Sequence, residues 1–298
     1  MSAILPVQSL NEPMPHAEVD APIGIFDSGI GGLSVALEIA RYLPQEQILY
    51  YADTAHVPYG PREDQDIREL TAHAIEWLYR QGCKVAVVAC NTASAFSLDY
   101  LREHYGEKFP IIGLVPALKP AVLHSQNKVV AVLATPATFR GKLIKDVMSN
   151  FAEPLGVKVH NVTCLDLVPL VEAGEQNSEL CKQALQKVLD PVVADQADYL
   201  VLGCTHYPFL KQAIASIYPD QLTLVDSGLA VARQTARILI KHKLQRQQRD
   251  LLQRQLRCVV SGHNAQQLQP IVARMLGHEI VWSIENLADK FETNEVEY

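Results

Sequence analysis

Two short stretches of this chain carry residue types suited to acid/base chemistry at carbon: VAVVACNTAS around Cys90 and YLVLGCTHYP around Cys204. A thiolate is a nucleophile and a competent base, with an ordinary pKa near ~8.5 that neighbours can move. Two thiols opposed across one carbon can take a proton from one face and return one to the other. That inverts a stereocentre without a cofactor. A single thiol would serve acyl transfer and leave the second unexplained. Asp27 is a candidate to orient or relay a proton at Cys90, and His206, two positions from Cys204, at the other thiol. Cys83, Cys164, Cys181 and Cys258 lack such surroundings and are read as small buried hydrophobes.

Each of the two cysteines ends an apolar, β-branched run that reads as a buried parallel strand, with small polar residues next, where a helix begins. They occupy equivalent carboxyl ends of strands, 114 positions apart, and ligands of open α/β sheets bind at such ends. Upstream, IGIF (23–26) reads as a first strand running into DSGIGG and a helix from Leu33. That turn is either an anion site, built from backbone N–H groups and the helix dipole, or a turn that simply needs glycine. It is neither a Walker A loop, lacking the lysine, nor GxGxxG, since Ser34 replaces the third glycine. ILYYAD (48–53) gives a second strand, Pro58-Tyr59-Gly60-Pro61 a turn, and residues 64–81 an amphipathic helix; the helix after Cys90 runs to about Tyr105.

Pro116 and Pro120 punctuate an apolar stretch that reads as a crossing between lobes. KVVAVLATPAT then repeats the opening plan, with Thr135 and Thr138 in the polar turn, followed by a strand at 157–164 and a lone acid, Glu172. Helices at 178–194 and 208–217 flank the Cys204 strand, and VDSG at 225–228 restates the opening. Asp27 precedes Cys90 by 63 positions and Thr135 precedes Cys204 by 69. The expected fold class is α/β: two pseudo-equivalent open α/β lobes with mostly parallel sheets and the active site in the cleft between them. The first lobe takes residues 21–117 and 225–298, the second 118–224, and residues 1–20 form a flexible extension. Residues 241–257, basic and Gln-rich, read as a solvated helix face or linker. A strand, a helix through 264–276 and a last strand extend the first lobe.

At 298 residues, 48% hydrophobic and 20% charged, the composition is that of a globular enzyme. A net charge of −7 argues against a nucleic-acid partner. The first 20 residues hold no Lys or Arg, unlike a secretory signal, and no run approaches the ~18 apolar residues of a membrane span. The expectation is a cytoplasmic protein with reduced cysteines, no membrane association and, absent Cys-x-x-Cys or zinc-like spacing, no metal.

The blocks FDSGIGGLSV, PYG, VVACNTAS, VPALKP, ATPAT, LVPLVEAG, VLGCTHYP and VDSG run in that order from about Ile23 to Leu239. In this order they resemble the aspartate/glutamate racemase superfamily, the glutamate racemases in particular; the Cys-Asn-Thr-Ala and Gly-Cys-Thr-His blocks are the specific ones. The resemblance implies a cofactor-independent enzyme interconverting L- and D-glutamate, with the D form supplying peptidoglycan synthesis, and a homodimer. It makes Cys90 and Cys204 the acid/base pair, assisted by Asp27, Glu172 and His206. Substrate contacts are implied at Asp27, Ser28, Pro58, Tyr59, Gly60, Asn91, Thr92, Thr135, Thr138, Thr205 and His206. Deprotonating an amino-acid α-carbon without a pyridoxal ring calls for a closed, water-poor cleft whose N–H and hydroxyl groups stabilise an enolate. Three rival readings stand beside this one. They are a racemase of aspartate or another small chiral acid, a non-catalytic anion-binding protein, and a thiol oxidoreductase, against which the missing Cys-x-x-Cys counts. Residues 1–20 are a candidate docking segment for a regulatory cell-wall precursor.

Overall fold

The computed structural model describes residues 18–247, 255–262 and 264–287. The proposed N-terminal extension thus lies outside the described residues except for 18–20, as does 248–254 of the basic segment. Runs such as IGIFD, VAVV, VVAVLA and YLVLG are buried almost end to end, as parallel strands covered on both faces must be. The first unit is β1 (Ile23–Asp27), α1 (Leu33–Tyr42), β2 (Ile48–Ala52), α2 (Asp64–Arg80), β3 (Val85–Val88), α3 (Asn91–Tyr105) and β4 (Ile111–Gly113). The second is α4 (Leu118–His124), β5 (Val129–Ala134), α5 (Pro136–Arg140), α6 (Lys142–Val147), β6 (Lys158–Val162), α7 (Leu167–Glu172), α8 (Glu179–Ala194), β7 (Tyr199–Gly203), α9 (Lys211–Ile217) and β8 (Thr223–Val225). A π turn, Met148–Ala152, precedes β6, and a 3-10 turn, Tyr207–Leu210, precedes α9. The described residues end with α10 (Gly228–Lys241), β9 (Leu256–Val260), α11 (Ala265–Leu276) and β10 (Trp282–Asn286).

Two sheets result, ordered β10-β9-β2-β1-β3-β4 and β6-β5-β7-β8, and every strand pair among the described residues is parallel. The order β2-β1-β3-β4 reappears as β6-β5-β7-β8, the duplication that the similar spacings foreshadow. Strand order reverses between β1 and β3 in one sheet and between β5 and β7 in the other. Crevices open at such switch points, beyond the carboxyl ends of the strands. Asp27 and Cys90 border the first crevice; Thr135 and Cys204 border the second.

The chain passes between the sheets twice, after β4 and after β8, and the passages are tied together where Ser227 Oγ donates to the Val115 carbonyl at 2.6 Å. α10 then packs along α1. One apolar cluster runs from Ile25 and Tyr50 of the large sheet through Leu133 and Leu202 of the small one, so the lobes share a core. Far from the crevices, Lys84 and Glu46 form a fully buried ion pair at 2.5 Å. Lys84 also donates to the Val19 carbonyl, Arg246 N–H to Glu46, and the Arg246 guanidinium to the Asp20 carbonyl. Residues 18–20 are thereby docked rather than loose.

Candidate active site

The two crevices open onto one cavity of about 260 Å³, lined by Ser28, Tyr59, Cys90, Asn91, Thr92, Thr135, Cys204, Thr205 and His206 among others. Cys90 is the N-cap of α3, and its Sγ accepts from the Ala93 N–H at 3.4 Å, with Ser28 Oγ at 3.6 Å. Cys204 follows β7 directly, but helix is delayed to the 3-10 turn at Tyr207, leaving Thr205 and His206 in an open turn. His206 Nδ1 lies 3.6 Å from Cys204 Sγ, and Nε2 lies 2.6 Å from Glu172 Oε1. A carboxylate on Nε2 fixes the proton there and turns Nδ1 toward the thiol.

Burial pushes the Cys90 thiol far above its ordinary pKa; the nearby Asp27 charge adds to this, while the Ala93 N–H and Ser28 hydroxyl oppose it. Cys90 is therefore a protonated thiol near neutral pH. Burial alone would push the His206 imidazole down, but hydrogen bonds and charge from Cys204 and Glu172 outweigh it and leave His206 well above its ordinary value. Burial likewise raises Asp27, against the charge of His206 and the Gly32 N–H.

The glycine-rich turn is not a free anion site. Gly32 N–H donates to Asp27 Oδ2 at 2.8 Å, Gly29 N–H to the same oxygen at 3.4 Å, and Ile30 N–H to Glu172 Oε1 at 2.9 Å. The protein's own carboxylates occupy these donors. Neither are these glycines required for a left-handed backbone. A Cβ on Gly29 would strike the Glu172 carboxylate, one on Gly31 the His206 imidazole, and one on Gly32 both Asp27 and the Tyr50 hydroxyl. Gly29 and Gly31 are the seat on which the other lobe docks, and Gly32 makes room for its own lobe's Asp27 and Tyr50. Ser34, the residue that broke the GxGxxG pattern, completes the seam by donating to the Thr205 carbonyl at 2.8 Å.

Asp27, Glu172 and Thr138 stand behind the cavity wall. Asp27 accepts from Thr205 Oγ1 at 3.3 Å and acts on Cys90 through its charge rather than by a direct bond. Glu172 acts through His206. Thr138 Oγ1 meets Thr135 Oγ1 at 2.9 Å, and Thr135 meets Thr92 at 2.8 Å, giving a row of hydroxyls that spans the lobes. Asn91 is buried, with Oδ1 unpartnered by protein. Pro58, Tyr59 and Gly60 form a wall, the Val57–Pro58 peptide being cis, and Tyr59 donates to Asp53 Oδ2 at 2.6 Å.

Cys164, read from sequence as a buried hydrophobe, instead lines the cavity beside Leu165 and Val168 and is half-buried. Its signal is hidden because it lies just past an edge strand, and no polar motif follows it. Tyr207 also lines the cavity, and its position inside Cys-Thr-His-Tyr-Pro was the available clue. Asp53, which anchors the Pro58-Tyr59-Gly60 wall, reads in the sequence only as the end of the ILYYAD strand. No Lys or Arg occurs among the described lining residues.

Comparison with known proteins bears on this geometry. Residues 26–235 match the Asp/Glu/hydantoin racemase family. The chain belongs to that family. Similarity extends beyond the matched core. The chain is 56% identical to the glutamate racemase of Deinococcus radiodurans over 79% of this chain and 80% of that one. The Escherichia coli glutamate racemase, solved with L-glutamate and the activator UDP-MurNAc-Ala, superposes with a TM-score of 0.75 at 33% identity, covering 90% of this chain and 98% of its own. The Francisella tularensis glutamate racemase, solved with D-glutamate, gives 0.76 at 27% identity with the same coverage. Among the described residues no helix is long and apolar enough to cross a membrane.

Proposed function

We propose that the protein interconverts L- and D-glutamate without a cofactor, with Cys90 and Cys204 as the two proton carriers. The observation that carries this reading is that both thiols line one cavity from equivalent strand ends of opposed sheets. In the direction that begins at Cys204, His206 Nδ1 holds the proton of that thiol, and the Cys204 thiolate removes the substrate α-proton. The Cys90 thiol delivers its proton to the opposite face of the α-carbon and becomes the thiolate. Starting from the other enantiomer the roles exchange, with Asp27, whose carboxyl burial favours proton binding, beside Cys90. The enolate between these steps is stabilised by hydroxyls and N–H groups in a cavity shielded from water. Ser28, Thr92, Thr135 and Thr205, with Asn91 as an acceptor for the ammonium group, are the proposed contacts, walled by Pro58, Tyr59 and Gly60. Thr138 holds Thr135 in place.

Glutamate rather than aspartate is favoured by the relatives, which are named glutamate racemases at 42–56% identity. D-Glutamate made in this way would feed peptidoglycan synthesis. The activator of the Escherichia coli relative makes a cell-wall precursor the candidate regulator here. The test is turnover of L- and D-glutamate and of both aspartates by the wild type, Cys90→Ala and Cys204→Ala. Racemisation of glutamate by the wild type, and by neither variant, is expected. Full turnover by either single variant would refute the two-thiol reading, and a preference for aspartate would move the substrate.

A further inference from the structure

Tyr50 lies in the middle of β2, opposite Ile25 of β1, and is fully buried. Its hydroxyl donates to the Gly29 carbonyl at 2.7 Å. That carbonyl and the Ile30 N–H belong to one planar peptide group, and the N–H donates to Glu172 Oε1 at 2.9 Å. The same carboxylate oxygen faces His206 Nε2 at 2.6 Å, and His206 Nδ1 faces Cys204 Sγ at 3.6 Å. A continuous chain of hydrogen bonds therefore leads from a strand of one lobe to a thiol of the other. Bonds linked in this way polarise one another. There is no slack at the turn: a Cβ on Gly32 would strike the Tyr50 hydroxyl from one side, and one on Gly29 would strike Glu172 from the other.

We propose that Tyr50 is a positioning residue for the Cys204 half of the reaction, fixing the Gly29–Ile30 peptide that holds Glu172 and, through it, His206 against the thiol. The inference rests on the racemase reading of the site but needs no turnover to be tested. The titratable groups facing the phenol are Asp27 of β1 and Cys258 of β9, with Glu172 and Cys90 beyond them. Those facing His206 are Cys204, Glu172 and Asp27. Burial keeps the phenol protonated, so it stays a donor across the working pH range.

Tyr50→Phe removes the hydroxyl and keeps the ring. It should lower kcat about tenfold, as expected when a buried hydrogen-bond partner is lost at a site poised for reaction, with KM within about twofold. With Glu172 less firmly held, the titration midpoint of His206, followed by NMR of labelled imidazole, should move down. In a Glu172→Ala background, which removes the oxygen that joins the Ile30 N–H to His206, Tyr50→Phe should have no further effect on kcat, since the chain is already cut. Tyr51→Phe, on the opposite face of the same strand, is the control and should leave both readouts unchanged. An unshifted His206 titration in Tyr50→Phe, whether kcat or the melting temperature falls or not, would overturn the inference. A wild type that fails to racemise glutamate would instead overturn the reading of the site, and the NMR measurement would still decide the role of Tyr50.

Discussion

Cys90 and Cys204 occupy matching places in the two lobes, yet their surroundings make them different acids. Cys204 has an imidazole at 3.6 Å, whereas Cys90 has a serine hydroxyl, a backbone N–H and the charge of a buried carboxylate nearby. Burial and that charge hold Cys90 in the thiol form, so its alkylation by iodoacetamide should accelerate with pH without levelling off up to about pH 10. Asp27→Asn should speed the reaction at any given pH by removing the negative charge, and mass spectrometry of the labelled peptide measures both effects. His206 provides a stability counterpart. Its folded pKa lies above the ordinary value of 6.5, so the stability it contributes is full below that value and is lost as pH rises through the folded pKa. The stability gap between wild type and His206→Gln should therefore be wider at about pH 5.5 than at about pH 9, as read from urea unfolding.

At the scale of elements, the Asp27–Gly32 turn and α7 matter most. Gly31→Ala should push the His206 turn away from the first lobe and cost activity more than stability. The loss expected is at least ~100-fold in kcat/KM, since small misplacements of reacting groups cost that much, against about 1–3 kcal/mol of overpacking. Steady-state kinetics paired with urea unfolding separates the two. This turn also marks the limit of what the sequence conveyed. The strand–turn–helix order, the lobes' parallel sheets and both cysteine positions were legible, because apolar β-branched runs and helical periodicity are local signals. The purpose of Gly29 and Gly31 was not, because their need for space is set by Glu172 and His206, more than a hundred positions away. Tyr50 and Tyr51 were indistinguishable in the sequence for a related reason. Alternation sends them to opposite faces, but only the folded turn shows which one meets the site. Cys164 was missed because its neighbours on the cavity wall, Leu165 and Val168, are apolar and look like core.

At the scale of the whole molecule, the two lobes share a core at the crevices, while the buried Lys84–Glu46 pair fastens the opposite end of the large sheet. Removing one partner strands the other as an uncompensated buried charge, so Lys84→Met should lower stability by about 3–5 kcal/mol. Replacing Glu46 by Leu as well should recover only part of this, because the Val19 carbonyl and the Arg246 N–H would lose their partners. The seam between lobes has a different role. Asp27 with Thr205, Ile30 with Glu172, Ser34 with Thr205, and Thr92 with Thr135 all pair residues of opposite lobes. The proton-handling groups are therefore complete only when the lobes are together.

The central claim is that one thiol removes the α-proton and the other delivers a different one to the opposite face, and it is tested most directly by incubating the purified, pyridoxal-free protein with L-glutamate in D₂O. Optical rotation and mass spectrometry then follow the same sample. The account predicts that rotation decays to zero while deuterium enters the α-position, with D-glutamate fully labelled from its first appearance. A folded protein that leaves both rotation and the α-hydrogen of glutamate unchanged would contradict it.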